Sequence, residues 1–282
     1  MLGRLYETVP SFLRPVEFRI VRTVAELKTA NHLVYQEYLK RNYCKANAVG
    51  LKLSLYQALP TTATFIATHR RDGIIGTISM VEDSPLGLPM DEAYKNEVDM
   101  LRRQNLRVAE VTMLALNSQL FGERVFTLFH AKKLLLTLRL FKVMFDYLRA
   151  CTKVDELVAC FNPKHQVLYD FLQLKPLGGL KTYTSANSNP SIARHLNIRE
   201  TERQAKAHAA YRLFYGAKPS PKPFEGKCAL TPEDLRALFV VTAPVLTAAS
   251  PTELNYLASC YPTYRFNQIL QPHDPSPSPH LS

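Results

Sequence analysis

The sequence predicts an α+β fold built on a mixed sheet, and three observations lead there. Strand-like runs follow one another: ATFIAT (63–68), IIGTISMV (74–81) and VAEVTMLAL (108–116). The first two are joined by HRRDG, where Asp72-Gly73 suits a hairpin turn. A long run over 125–152 is apolar nearly all round, with one narrow polar stripe of Lys132, Arg139, Lys142, Asp146 and Arg149. Such a helix packs against a sheet. It stands between two apolar strands read as neighbours, 108–116 and ELVACF at 156–161.

Taken in order, residues 1–20 read as an arm leading into a first edge strand at 17–22. Thr23 and Glu26 form a capping box for a helix over 24–41, whose Leu27, Leu33, Val34, Tyr35, Tyr38 and Leu39 recur at helical spacing. The stretch 42–59 is irregular and Pro60 ends it. After the hairpin, EDSPLGLPMDEAY (82–94) is a loop punctuated by Pro85, Gly87 and Pro89, and Asp91 caps a short helix to Gln104. Beyond 156–161, Asn162-Pro163 closes the strand; 165–172 is a short helix, 175–179 a turn and 180–185 a last strand. Composition then shifts: 193–214 reads as a charged helix, 216–227 as a Pro/Lys linker, and 231–245 and 250–260 as two further helices. The expected organisation is a main domain over 1–190, a helical extension over 191–270 and a disordered Pro/Ser-rich tail over 271–282.

The 282 residues, 46% hydrophobic and 21% charged, describe an ordinary globular protein. The N-terminus has no apolar core of a secretory signal, and no apolar run reaches the roughly 20 residues that span a bilayer. Five scattered cysteines form no CxxC and no metal spacing, which suits buried free thiols in a reducing cytoplasm. Net charge is +11, from 35 Lys+Arg against 24 Asp+Glu, and favours an anionic partner. A nucleic-acid module is the competing class, yet its basic surface would have to come from Arg194, Arg199, Arg203, Lys206 and Arg212, outside the motif-bearing region. Nucleic acid is therefore not an expected partner, and that surface leaves open peripheral contact with an anionic membrane.

P-loop, GxGxxG, HExxH and GxSxG patterns are absent, and no metal site is expected. Attention falls on Glu110, an ionisable side chain inside an apolar strand, where a carboxylate needs a partner or a task. FNPKHQVLYDFL (161–172) reads as strand, turn and helix walling a cleft that opens if 108–116 and 156–161 splay. Main-chain N–H groups exposed there can bind an acyl or pantetheine amide. The plainer reading of the same segment is a β–α connection with Asn162 as N-cap.

Glu110, the long following helix and ACFNPKHQVLYDFLQLKPLG resemble the GNAT acyltransferase superfamily. VYQEYLKRNY, LPTTATFIA, GTISMVEDSPLGLPMDEAY and LRRQNLRVAEVTMLAL resemble more closely the N-acyl amino acid synthases, relatives of the acyl-homoserine-lactone synthases. The likeness covers roughly residues 20–185. Autoinducer synthases carry an E-x-S/T-R-F run where this chain has Glu110-Val111-Thr112-Met113-Leu114, so a lactone product is not expected. Gln119–Arg124 matches only the first half of a coenzyme A pyrophosphate loop, and Glu123 would repel the pyrophosphate.

The resemblance implies a GNAT-like mixed sheet and an amide bond made between a long-chain acyl thioester and the α-amine of an amino acid. No cofactor is bound; the phosphopantetheine thioester of an acyl carrier protein is a substrate. Glu110 is the implied base, with the main-chain N–H groups of Met113 and Leu114 as oxyanion donors. Arg102 or Arg103 would hold the amino acid carboxylate. Tyr35, Tyr38 and Tyr43, together with Thr112 and Asn162, would line the substrates, and Tyr169 would stand near the leaving thiolate. Arg102, Arg103, Arg107, Arg124, Lys132 and Lys133 are candidates for docking the acidic carrier. The alternatives are an acetyl-coenzyme A-dependent N-acetyltransferase and an acyl-homoserine-lactone-type synthase.

Overall fold

The computed structural model describes residues 16–121, 127–204, 207 and 214–271. Seven strands form one sheet: β1 (Val16–Ile20), β2 (Ala63–His69), β3 (Gly73–Glu82), β4 (Val108–Leu116), β5 (Glu156–Phe161), β6 (Lys175–Tyr183) and β7 (Asn189–Asn197). Their order is β1-β2-β3-β4-β5-β7-β6. The β4/β5 pair is parallel and the other pairs are antiparallel, so the sheet is mixed, as the α+β, GNAT-like expectation has it.

Two faces follow from the alternation of side chains along β4. Ala109, Val111 and Leu116 join the core that Phe141, Met144, Phe145 and Leu148 build on α3 (Thr127–Cys151). Leu33 and Val34 of α1 (Val24–Lys40) pack instead against Met113 and Ala115, on the other face. Thr23 caps α1 by accepting from Glu26 N at 3.2 Å. The return half of the expected box goes elsewhere: Glu26 accepts from Arg22 N at 2.9 Å and from Arg19.

The segment before α2 (Asp91–Arg103) is held by charge. Arg102 donates to Asp83 at 2.7 and 2.8 Å, to Asp91 at 2.7 Å and to Asp99 at 2.7 Å. Asp91 is the first helical residue rather than the cap; the N-cap position is Met90, without a side-chain bond. Gly87 has φ 72°, and a Cβ there would lie 2.3 Å from Asp91 Oδ2, so this turn requires glycine.

Differences from expectation concentrate after β5. A 3-10 turn over Pro163–His165 precedes α4 (Gln166–Phe171). The stretch expected as a turn and a short strand is one strand, β6, which tolerates Pro176 because it is the sheet edge. The charged helix expected over 193–214 begins as β7 and becomes helical only in α5 (Ile198–Gln204). Arg194 pairs with Asp170 and Arg199 with Asp155, so the basic face sketched for a membrane does not run along one helix. Lys206 and Arg212 lie outside the described residues, as do the expected arm over 1–15 and the tail over 272–282. Of the thiols expected to be buried, Cys44 is; Cys151 is exposed, and Cys160, Cys228 and Cys260 are intermediate.

The chain divides into two compact units. One comprises residues up to Lys52 with Pro60–Ala229; the other, Leu53–Leu59 with the residues from Leu230 onward. In the second, α6 (Pro232–Arg236) is capped by Thr231 and runs on into a wider π turn over Ala237–Thr242. Next come α7 (Pro251–Cys260), opened by the Ser250/Glu253 capping box, and α8 (Phe266–Leu270), which the sequence did not signal. Tyr261 Oη donates to Ala58 O at 2.6 Å and ties the two parts of this unit together.

Candidate active site

Parallel pairing between β4 and β5 runs from Val108↔Glu156 to Val111↔Ala159 and stops. Beyond that point β4 stays with β3 as far as Leu116↔Gly76, and β5 stays with β7 as far as Phe161↔Ile192. The two strands part, as expected from Asn162-Pro163. At the same level β4 carries a bulge: Thr77 faces Ala115 and Ser79 faces Thr112, so Met113 and Leu114 together oppose Ile78. Met113 takes φ 53°, a left-handed conformation that re-aims the strand and turns its side chain to the α1 face.

Glu110 stands just below this divergence, 2% exposed. Its Oε2 accepts from Met90 N at 2.7 Å, so the Arg102-braced turn before α2 presents a main-chain donor to the carboxyl. Burial, outweighing that hydrogen bond, pushes the Glu110 pKa up to about 8, and the Asp91 charge adds to the rise. Tyr38 and Tyr169 are close enough to feel Glu110; burial raises both phenols well above the usual tyrosine range. Tyr169 stacks on Phe161 with centroids 3.6 Å apart and lies edge-on to Phe141. Tyr43 is edge-on to Tyr38 at 5.8 Å, and its hydroxyl is 3.4 Å from His165 Nε2. Thr112, half-buried, shares the Glu110 face of β4.

Other expected site residues are placed differently. Tyr35 Oη donates to Asn47 O at 3.3 Å and accepts from Asn47 N at 3.2 Å, so it braces the loop after α1. Asn162 is an N-cap, its side chain accepting from Lys164 N at 3.2 Å. Arg102 gives four of its five N–H groups to three carboxylates, so a bidentate clamp on a substrate carboxylate would break the network that supports Met90. Arg103 follows Arg102 at the end of α2, which is kinked at Tyr94. Arg107 pairs with Asp155 at 2.9 Å and heads β4. It thus sits at the end of β4 away from the opening, which begins past Val111. Lys133 is close enough to His165, after β5, to act on its pKa; Lys132 precedes it near the start of α3, and Arg124 lies outside the described residues.

Several side chains at the site carried no sequence signal. Tyr94, fully buried, donates to Ser191 O at 2.6 Å and Gly179 O at 2.9 Å, which anchors α2 on β6 and β7. Cys160 feels Glu110 and hydrogen-bonds Ser191, and burial pushes its thiol up to about 12. A third is Glu37, a carboxylate 1% exposed near the end of α1. Its place within EYLKR reads as an ordinary i,i+4 partner of Arg41, and nothing local distinguishes it. Among the described residues no group of three His, Cys, Asp or Glu side chains is placed to hold a metal ion, and no helix is long and apolar enough to cross a membrane.

A buried carboxyl with a raised pKa, beside a parted strand pair and a bulge, marks the candidate site of this sheet. The profile of the N-acyl amino acid synthase FeeM family matches residues 29–197, more than half of the chain. The chain belongs to that family and is an N-acyltransferase. Among solved structures it is similar to FeeM, an N-acyl amino acid synthase from uncultured soil microbes, at 28% identity and TM-score 0.58, over 71% of this chain and 100% of that one. Lower matches include the CoA-dependent acyl-homoserine lactone synthase BjaI (12% identity, TM-score 0.49, 73% and 92% coverage). The AHL synthase LasI gives 13% identity, TM-score 0.47 and 72% and 94% coverage. A sequence search of curated proteins finds no match.

Proposed function

We propose that the protein transfers a long-chain acyl group from the thioester of an acyl carrier protein to the α-amine of an amino acid, releasing an N-acyl amino acid and the carrier thiol. The observation that carries this reading is Glu110, a buried carboxyl whose pKa of about 8 matches that of an α-amine, near 8. The ammonium form of the acceptor gives its proton to Glu110, directly or through one water, and the neutral nitrogen attacks the thioester carbonyl. Matched pKa values make that proton transfer nearly thermoneutral. The main-chain N–H groups of Met113 and Leu114, re-aimed by the bulge, stabilise the oxyanion. As the C–S bond breaks, the second proton of the attacking nitrogen passes to the leaving sulfur, which departs as the thiol, and Glu110 returns its proton to solvent. Tyr169, kept an O–H donor by its raised pKa, donates a hydrogen bond to that sulfur. Tyr38, Tyr43 and Thr112 line the two substrates. The acidic carrier approaches from the opening, where Lys132 and Lys133 stand.

Intact-mass analysis of lipid extracts from cells expressing the protein tests the reading. N-acyl amino acids absent from control cells are expected, with the chain length and the acceptor read from the mass. Acetylated amines alone, or acyl lactones, would overturn it.

A further inference from the structure

Glu37 is more than a surface partner of Arg41. Its carboxylate accepts from Arg41 Nη1 at 2.5 Å, Lys40 Nζ at 3.0 Å, Ser118 N at 3.0 Å and Ser118 Oγ at 2.9 Å. One buried group therefore joins the end of α1 to the turn that leaves β4, on the open side of the parted strands. Burial alone would raise its pKa, but the bonds from Arg41, Ser118 and Lys40 outweigh that and hold it down at about 2. The carboxylate stays ionised throughout the physiological range.

Arg41 is held facing other cations. His165 stands at the rim; partial desolvation, and then the charges of Lys164, Arg41 and Lys133, push its pKa down to about 4. Desolvation, then Arg41, lowers the pKa of Lys133 as well, with Glu37 offsetting part of the drop. Lys164 lies 4.9 Å over the Tyr43 ring, whose hydroxyl reaches His165. Cations from the end of α1, from α3 and from the turn after β5 thus converge where a donor arm must enter. Glu37 brings one negative charge to Lys40, Arg41, Lys133 and Lys164, so a positive excess is left that a further anion would relieve.

We propose that Glu37 is a positioning residue: it aims Arg41 so that Arg41, with Lys133 and Lys164, receives the phosphate of the donor's pantetheine arm. This rests on the thioester-donor reading above. Two oxyanions reach the site, the donor phosphate and the acceptor carboxylate, and position selects the first. The acceptor carboxylate lies one carbon from the amine that must meet Glu110, and the charge acting on Glu110 is Asp91, not Arg41. The phosphate is set back from the reacting carbonyl by the whole arm. A guanidinium held by one carboxylate still has donors for bidentate contact with phosphate.

The test compares acyl-phosphopantetheine with acyl-pantetheine, donors that differ only in the phosphate, on the full chain. Wild type is expected to show a KM about 10- to 100-fold lower for the phosphorylated donor, the worth of a charge-assisted pair. Arg41→Met and Glu37→Gln should bring that ratio towards one while the KM of the acceptor holds. Arg41→Lys should restore part of the ratio, because it keeps the charge and loses the fork. If Glu37→Gln fails to fold, Lys133→Met combined with Lys164→Met reads the same ratio. An unchanged ratio in Arg41→Met overturns the proposal, as does a rise in acceptor KM in place of donor KM. Failure of wild type to use either thioester would refute the donor reading itself.

Discussion

Glu110 shows what one buried ionisable group imposes on the behaviour of the protein. Its carboxyl titrates at about 8 in the fold and near 4.5 when exposed. Between those values the folded state keeps a proton that the unfolded state has lost, so stability from this group is complete below 4.5 and declines as pH rises through about 8. Glu110→Gln removes that dependence. The melting temperature of the variant relative to wild type should therefore climb across the same interval, measured by calorimetry in matched buffers. Turnover should move the other way: in wild type kcat/KM rises with pH towards 8 as the base form appears. In the variant it should fall about 10²–10⁴-fold and lose that pH dependence. A folded Glu110→Gln protein with wild-type turnover would reduce Glu110 to a structural carboxyl.

β4 joins a regular ladder to an irregular one, and the site depends on that break. Met113 at φ 53° is the residue that makes the bulge. A β-branched side chain is disfavoured there, so Met113→Ile should cost about 1–2 kcal/mol in urea unfolding and lower kcat, whereas Met113→Leu, of similar volume and unbranched at Cβ, should retain stability better. The edge hairpin β6–β7 makes a second demand. A Cβ on Gly178 would lie 2.6 Å from the ring of Tyr94, which is fully buried and hydrogen-bonded to Ser191 and Gly179. Gly178→Ala should therefore destabilise the protein by about 1–3 kcal/mol, and α2 should loosen with it. Hydrogen exchange across 91–103 is the measurement, and unchanged protection would show that Tyr94 can shift at little cost.

Across the whole molecule, net charge and chain crossing each carry a consequence. With a charge of +11 and lysines at the opening, association with an acidic carrier should depend on ionic strength. Screening shortens from about 10 Å at 0.1 M salt to about 3 Å at 1 M, so the KM for the carrier-bound donor should climb steeply while that for the amino acid moves little. Equal salt response of both substrates would assign the charge to another partner. The second compact unit takes in Leu53–Leu59 as well as the C-terminal residues, with Ala58 0% and Leu59 2% exposed. Ending the chain at Ala229 removes Tyr261 from Ala58 and exposes this apolar segment, so aggregation in size-exclusion chromatography is the expected outcome. A soluble, monodisperse truncated protein would show that Leu53–Leu59 needs no C-terminal partner.

Local pattern alone determined the strands Val108–Leu116 and Glu156–Phe161, the apolar helix between them, the hairpin at Asp72-Gly73 and the lone carboxyl at Glu110. These are legible because side-chain period, turn chemistry and burial are properties of neighbours in the chain. β7 was not, since its alternation is broken by Arg194 and His195, whose partners Asp170 and Glu156 come from other elements. Nor could the chain order reveal that Arg102, a plausible clamp for a carboxylate, is already held by Asp83, Asp91 and Asp99. The same holds for Glu37, which becomes a node only when Ser118, 81 residues away, folds back onto it. Charges choose partners in space, over separations that no sequence period records, and so the tertiary structure alone decided which cations and carboxylates remain for substrates.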